Sequence, residues 1–128
     1  MLISVEIYGA LHACCHEEFS VGDQVSWPLA QVRNSRGEIT FQLDDHGTFD
    51  GTGVPVAAVP ARVARIQYRD RVRAGHTGSS GLAGEVRVQD TVQVRAGTAF
   101  DHDWIIATLH VDAQSLPPLA DWDESRHP

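Results

Sequence analysis

Between His12 and Glu18 the chain gathers two imidazoles, two adjacent thiols and two carboxylates. On an extended backbone side chains alternate between faces, so His12, Cys14 and His16 would share one side and Cys15 point to the other. Imidazole nitrogen and thiolate sulfur together suit zinc or copper, with His102 as the candidate fourth ligand and Asp101, Asp103 and His110 as further donors. The spacing departs from the usual zinc motifs, whose ligand cysteines stand about two to four residues apart on a tight turn. A loop after a first strand, with one thiol packed as a small hydrophobe and the rest hydrated, accounts for the same residues. Nucleophilic chemistry at Cys14 or Cys15, with His16 as base, meets an obstacle in Glu17 and Glu18, whose negative charge disfavours the thiolate.

Asp101-His102-Asp103 is a second cluster. Two carboxylates flanking an imidazole can form a proton relay or a metal site, although local hydrogen bonding at an exposed turn explains the cluster more simply. A third constellation is basic. Arg62, Arg65, Arg69, Arg71 and Arg73 form the one arginine run; the last three share a face if extended, and Tyr68 lies beside them. A solvated strand face is the default, and a small platform for single-stranded nucleic acid or another anion is the functional reading. Asp44, Asp45, His46 and Asp50 lack the alternating oxygens and terminal Glu of a calcium hand. No dinucleotide-binding glycine motif, phosphate loop, nucleophile elbow or zinc-protease motif occurs, so no cofactor is expected.

The elements that must position these residues are strands. Ile3, Val5 and Ile7 alternate with Ser4, Glu6 and Tyr8, the pattern of a half-buried strand. Val21-Gly22-Asp23 is a turn before a strand carrying Val25 and Trp27, after which Pro28 predicts an edge or a bend. Asn34-Ser35-Arg36-Gly37 joins Val32 to the alternating Ile39, Phe41 and Leu43 as a hairpin. A polar, Gly-rich loop over 44–53 follows. Val54 to Val72 reads as one long bent strand or two strands broken near Pro60, and its alternation drifts in register between Arg62 and Ile66, which predicts a bulge. A Gly-rich loop over 74–84 precedes strands at Val86–Val88 and Val92–Val94, and Trp104–Val111 is the last and most hydrophobic strand. No segment carries a helical period. The expected fold is all-β, a small antiparallel barrel or sandwich of SH3-like or OB-like size with six to eight strands. Residues 1–114 form the expected β-rich domain and 115–128 an acidic, Pro-containing tail, in which Leu119 and Trp122 are spaced to clip onto the barrel.

The 128 residues hold 17 Asp and Glu against 10 basic residues, all of them Arg, for a formal charge of −7. That balance argues against general nucleic-acid or anionic-membrane binding, but not against one local anionic contact. No apolar run approaches the roughly 20 residues of a membrane helix. The N-terminal apolar run has no preceding basic residue and is interrupted by Glu6, so no export signal is expected. Adjacent cysteines sit too close for an unstrained disulfide, and free thiols agree with the cytoplasm.

From Cys14-Cys15 through Phe19-Ser20-Val21-Gly22-Asp23-Gln24-Val25-Ser26-Trp27 the chain resembles a group of short actinobacterial proteins known only as a domain of unknown function. The opening strand Ile3 to Tyr8 and the late Trp104 belong to the resemblance. It implies a β-rich fold and a high-GC bacterial source, and carries no activity.

The function expected from these readings is a non-catalytic binding or accessory module. Its candidate aromatic anchors are Trp27, Tyr68 and Trp104, for each of which a place in the core is the favoured alternative, and its expected partner is a protein. The alternative is a small barrel enzyme or metal-binding protein using the Cys14–His16 and Asp101–Asp103 clusters. A third reading, an acidic protein neutralising a basic partner, rests on charge alone. Oligomeric state is not readable from the chain.

Overall fold

A computed structural model of the chain describes residues 1–8, 18–44, 47–71, 86–95 and 102–122. The strands are β1 (Leu2–Tyr8), β2 (Phe19–Ser20), β3 (Gln24–Arg33), β4 (Ile39–Leu43), β5 (Ala57–Arg71), β6 (Val86–Thr91), β7 (Gln93–Val94), β8 (Trp104–Val111) and β9 (Leu119–Asp121). A single 3-10 turn, Ala113–Ser115, separates the last two. Six of these strands have five residues or more, in keeping with the expected all-β barrel; β2, β7 and β9 are two- or three-residue additions.

Five strands close on themselves in the order β5, β8, β1, β4, β3, with β3 returning to β5. Within this ring only β1 and β4 run parallel, through Val5–Phe41 and Glu6–Gln42. β6 adds to the upper half of β5, and β9 adds to β3 in parallel. Closure leaves one interior to fill, and the period-2 pattern fills it. Ile3, Val5 and Ile7 from β1 meet Ile105, Ala107 and Leu109 from β8, each at most 4% exposed, with Leu29, Val59, Val63 and Ile66 opposite. Truncating one of the larger aliphatic residues to Ala would cost about 2–5 kcal/mol. β2 and β7 pair as a small second sheet that delivers Phe19 and Val94 into this core, where Phe19 meets Trp27 edge-on at 5.0 Å.

The register drift in β5 is a bulge. Val63 pairs with Leu109 and Arg65 with Thr108, so Ala64 is the extra residue. On its other side Val63 exchanges backbone bonds with the turn before β3, accepting from Gly22 N–H at 2.7 Å and donating to Asp23 at 3.0 Å. Gly22 holds φ +94° there, a conformation glycine adopts without strain.

One sequence expectation changes. The residues after Pro28 are not an edge, since β3 continues to pair with β4 and β9, and Pro28 itself stands where the β4 ladder ends. Its carbonyl takes the Asp44 N–H at 2.8 Å, and the missing proline N–H forfeits only the reciprocal terminal bond. Within the segment after residue 115, the expected clip of Leu119 and Trp122 onto the barrel is an ordered strand. β9 pairs with Gln31–Arg33, Trp122 N–H donates to Arg33, and Trp122 packs edge-on against Phe49 at 5.0 Å. With Ala30 and Val32 these rings form a second cluster on the outside of β3. Asp44, 8% exposed, accepts the backbone N–H groups of Thr48 and Phe49, folding the loop so that Phe49 reaches this cluster. The expected polar loop is therefore structural at Asp44.

Candidate ligand-binding face

The core-facing set on β1, β8 and β5 fixes what must point outward. On β1 these are Leu2, Ser4, Glu6 and Tyr8, and on β8 Trp104, Ile106, Thr108 and His110. The bulge decides β5. Arg62 pairs with His110, Arg65 with Thr108, Gln67 with Ile106 and Arg69 with Trp104, all outward-facing partners. Without Ala64 as an inserted residue, Arg62 and Arg65 would lie on opposite faces; with it, Arg62, Arg65, Arg69 and Arg71 line one side of a single strand.

At the upper end of this face, residues on adjacent strands form a row. Tyr8 pairs with Trp104, which pairs with Arg69, which pairs with Val88 of β6. The Tyr8 and Trp104 rings lie 5.3 Å apart and tilted by 58°, and the Arg69 guanidinium sits 5.7 Å from the Trp104 ring centroid, a cation–π contact. Glu6 pins Arg69 from the other side at 3.2 Å. Tyr8 remains 49% exposed despite these contacts. A cleft of about 580 Å³ opens over the row, bordered by Tyr8, Trp104, Arg69, Asp70, Arg71, Val86 and Asp103. A second, of about 460 Å³, runs down the face past Glu6, Ile106 and Leu2 and shares Arg69 with the first.

Charge on this face is unevenly compensated. Arg65 makes a two-pronged contact with Asp90 of β6 at 3.1 and 3.2 Å, and this guanidinium holds the Asp90 carboxyl below its usual range. Arg69 has Glu6. Among the described residues, the side chains of Arg62 and Arg71 have no acidic partner.

Directly behind the row lies a polar latch. The Asp70 carboxylate takes Nδ1 of His102 at 2.7 Å and the Asp103 N–H at 2.8 Å, while Asp103 accepts the Arg71 N–H at 2.8 Å. His102 stacks flat on Tyr68, ring centroids 3.6 Å apart and planes 3° from parallel. The latch ties the end of β5 to the start of β8, which fixes Trp104 against Arg69.

The residues singled out in the sequence separate accordingly. Trp27 and Tyr68 are 6% and 7% exposed and belong to the core, so of the three aromatic anchors only Trp104 lies on the open face. Tyr68 points inward because it shares parity with Ile66; the aromatic beside the arginines is Trp104, across the β5–β8 pairing. Arg69 and Arg71 share a face as expected, and Arg73 lies outside the described residues. So do His12, Cys14, Cys15, His16 and Asp101. His102 has Asp70 as its partner, and among the described residues no group of three His, Cys, Asp or Glu stands close enough to hold a metal ion. Sequence reasoning missed Tyr8 as a site residue although its outward parity was legible, and it missed Asp70. No helix among the described residues is long and apolar enough to cross a membrane. No family model, curated protein or solved structure matches the chain.

Proposed function

We propose that this chain is a non-catalytic binding or accessory module of the cytoplasm, whose contact surface is the outer face of β1, β8 and β5. The observation that carries this reading is the exposed Tyr8–Trp104–Arg69 row beneath a cleft. Tryptophan, tyrosine and arginine are the side chains that dominate interface energetics, and here they stand side by side in register. The barrel interior supports the same reading from the other direction, because apolar side chains fill it. A ligand meets this molecule on its outside.

A photo-crosslinking residue placed at Ile106, on this face, tests the reading when expressed in the native host. Specific adducts should form from position 106, should vanish when W104A is added, and should not form from Leu119, an exposed position on β9 beside β3. Equal labelling from 106 and 119, or none from 106, would contradict it.

A second reading, a small enzyme, draws on the Asp70–His102 pair. With Nδ1 engaged by a carboxylate, Nε2 is the nitrogen left for proton transfer, the arrangement of an oriented general base. The flat stacking on Tyr68 and the backbone bonds of the latch explain the same geometry as structural.

A further inference from the structure

We infer that the outer face binds single-stranded nucleic acid, with the arginine line of β5 following the phosphates and the Trp104–Tyr8 pair stacking on bases. This rests on that face being the contact surface, and it names the occupant.

Two independent features converge on it. The first is electrostatic. The molecule is acidic overall, yet one strand face holds four arginines, and the bulge at Ala64 brings them there. The acids that answer them across the sheet are Glu6 and Asp90, while the carboxylates of Asp70 and Asp103 border the cleft at its upper end, so what the face offers a phosphate is individual guanidiniums and not a net surplus of charge. Asp70 and Asp103 at the upper end already accept from His102, Asp103 N–H and Arg71 N–H. Arg62 and Arg71, without acidic partners among the described residues, mark the ends of a line of roughly 25–30 Å at strand rise.

The second feature is aromatic. Trp104 and Tyr8 sit beside this line with ring surface open to the cleft, and Arg69 adds a planar cation to the row. Basic side chains that track a backbone, next to aromatic rings that accept any base, are the two parts of a sequence-tolerant single-strand site. An acidic peptide would satisfy the arginines but give the rings nothing specific. A duplex would offer phosphates without unstacked bases, and the −7 charge opposes it at long range.

The test is fluorescence anisotropy of the intact chain with labelled 12-nucleotide oligo(dT) and oligo(rU). Probes of the same length are an abasic strand, a duplex and poly-glutamate. Binding of either oligonucleotide is expected, with the abasic strand and the duplex at least about fivefold weaker, since each stacked base contributes appreciably. W104A should lose about fivefold or more while W104F keeps most of the affinity, which separates stacking from misfolding. With two unpaired arginines the slope of log affinity against log salt should be about −1.4, and it should flatten in the R62A/R71A double variant. No binding of either oligonucleotide, or equal binding of the abasic strand, would overturn the inference. So would tighter binding of poly-glutamate, which would make the occupant an acidic protein. If the oligonucleotides fail while crosslinks through position 106 persist, the contact face stands and only its occupant is wrong.

Discussion

Single residues in this protein act through the partners the fold brings them. Asp70 is the clearest case, since one carboxylate serves His102, 32 residues away in sequence, and the Asp103 backbone. Replacing it by Asn removes an ionised acceptor and should destabilise by about 1.5–3 kcal/mol, seen as a lower midpoint of thermal unfolding. A D70N midpoint equal to wild type would show that the latch is idle. Asp90 carries a different prediction. Its carboxyl is held below the usual carboxylate range by hydrogen bonding to Arg65, so its contribution is present above the unfolded value and is lost as pH falls through the lower folded one. The difference in unfolding midpoint between wild type and D90N should therefore be constant near neutrality and shrink below about pH 4. Neither partner choice was legible in sequence. Asp101 and Asp103 flank His102, but the carboxylate that bonds it arrives from β5.

At the level of elements, much of the barrel was legible because period-2 alternation is a local property. Ile3, Val5 and Ile7 read as an inner face without knowledge of any partner, and they are buried. The drift between Arg62 and Ile66 likewise announced a bulge. Its consequence was less legible, because aligning four arginines depends on which residue is extra and on the register with β8. Deleting Ala64 should force either the lower or the upper half of β5 to turn its arginines inward, and we expect a large loss of stability, since a one-residue slip exchanges the two faces. A deletion variant that unfolds at the wild-type temperature would contradict this register. The end of the chain shows the opposite limit. Pro117-Pro118 and the acids around Trp122 suggested a tail, whereas an open edge of β3 and the Phe49 ring, both set by distant segments, recruit Leu119–Asp121 and Trp122. W122A should accordingly lower stability by about 3–5 kcal/mol. A loss under 1 kcal/mol would place that ring outside the cooperative core.

For the molecule as a whole, the sign of the net charge proved a poor guide to its surface. The total of −7 excludes indiscriminate attraction of phosphate backbones, but the bulge in β5 and its pairing with β8 line four arginines along one outer face. The fold thus separates a filled interior, a second cluster outside β3, and one aromatic, basic face. Each contains a single tryptophan: Trp27 in the barrel core, Trp122 in the second cluster and Trp104 on the face. The three indole N–H resonances of a nitrogen-15-labelled sample therefore report on the three regions at once. Titrated with single-stranded 12-nucleotide oligo(dT), the Trp104 resonance should shift progressively and saturate while those of Trp27 and Trp122 stay in place. A Trp104 resonance that does not move, or shifts confined to Trp27 or Trp122, would contradict the account.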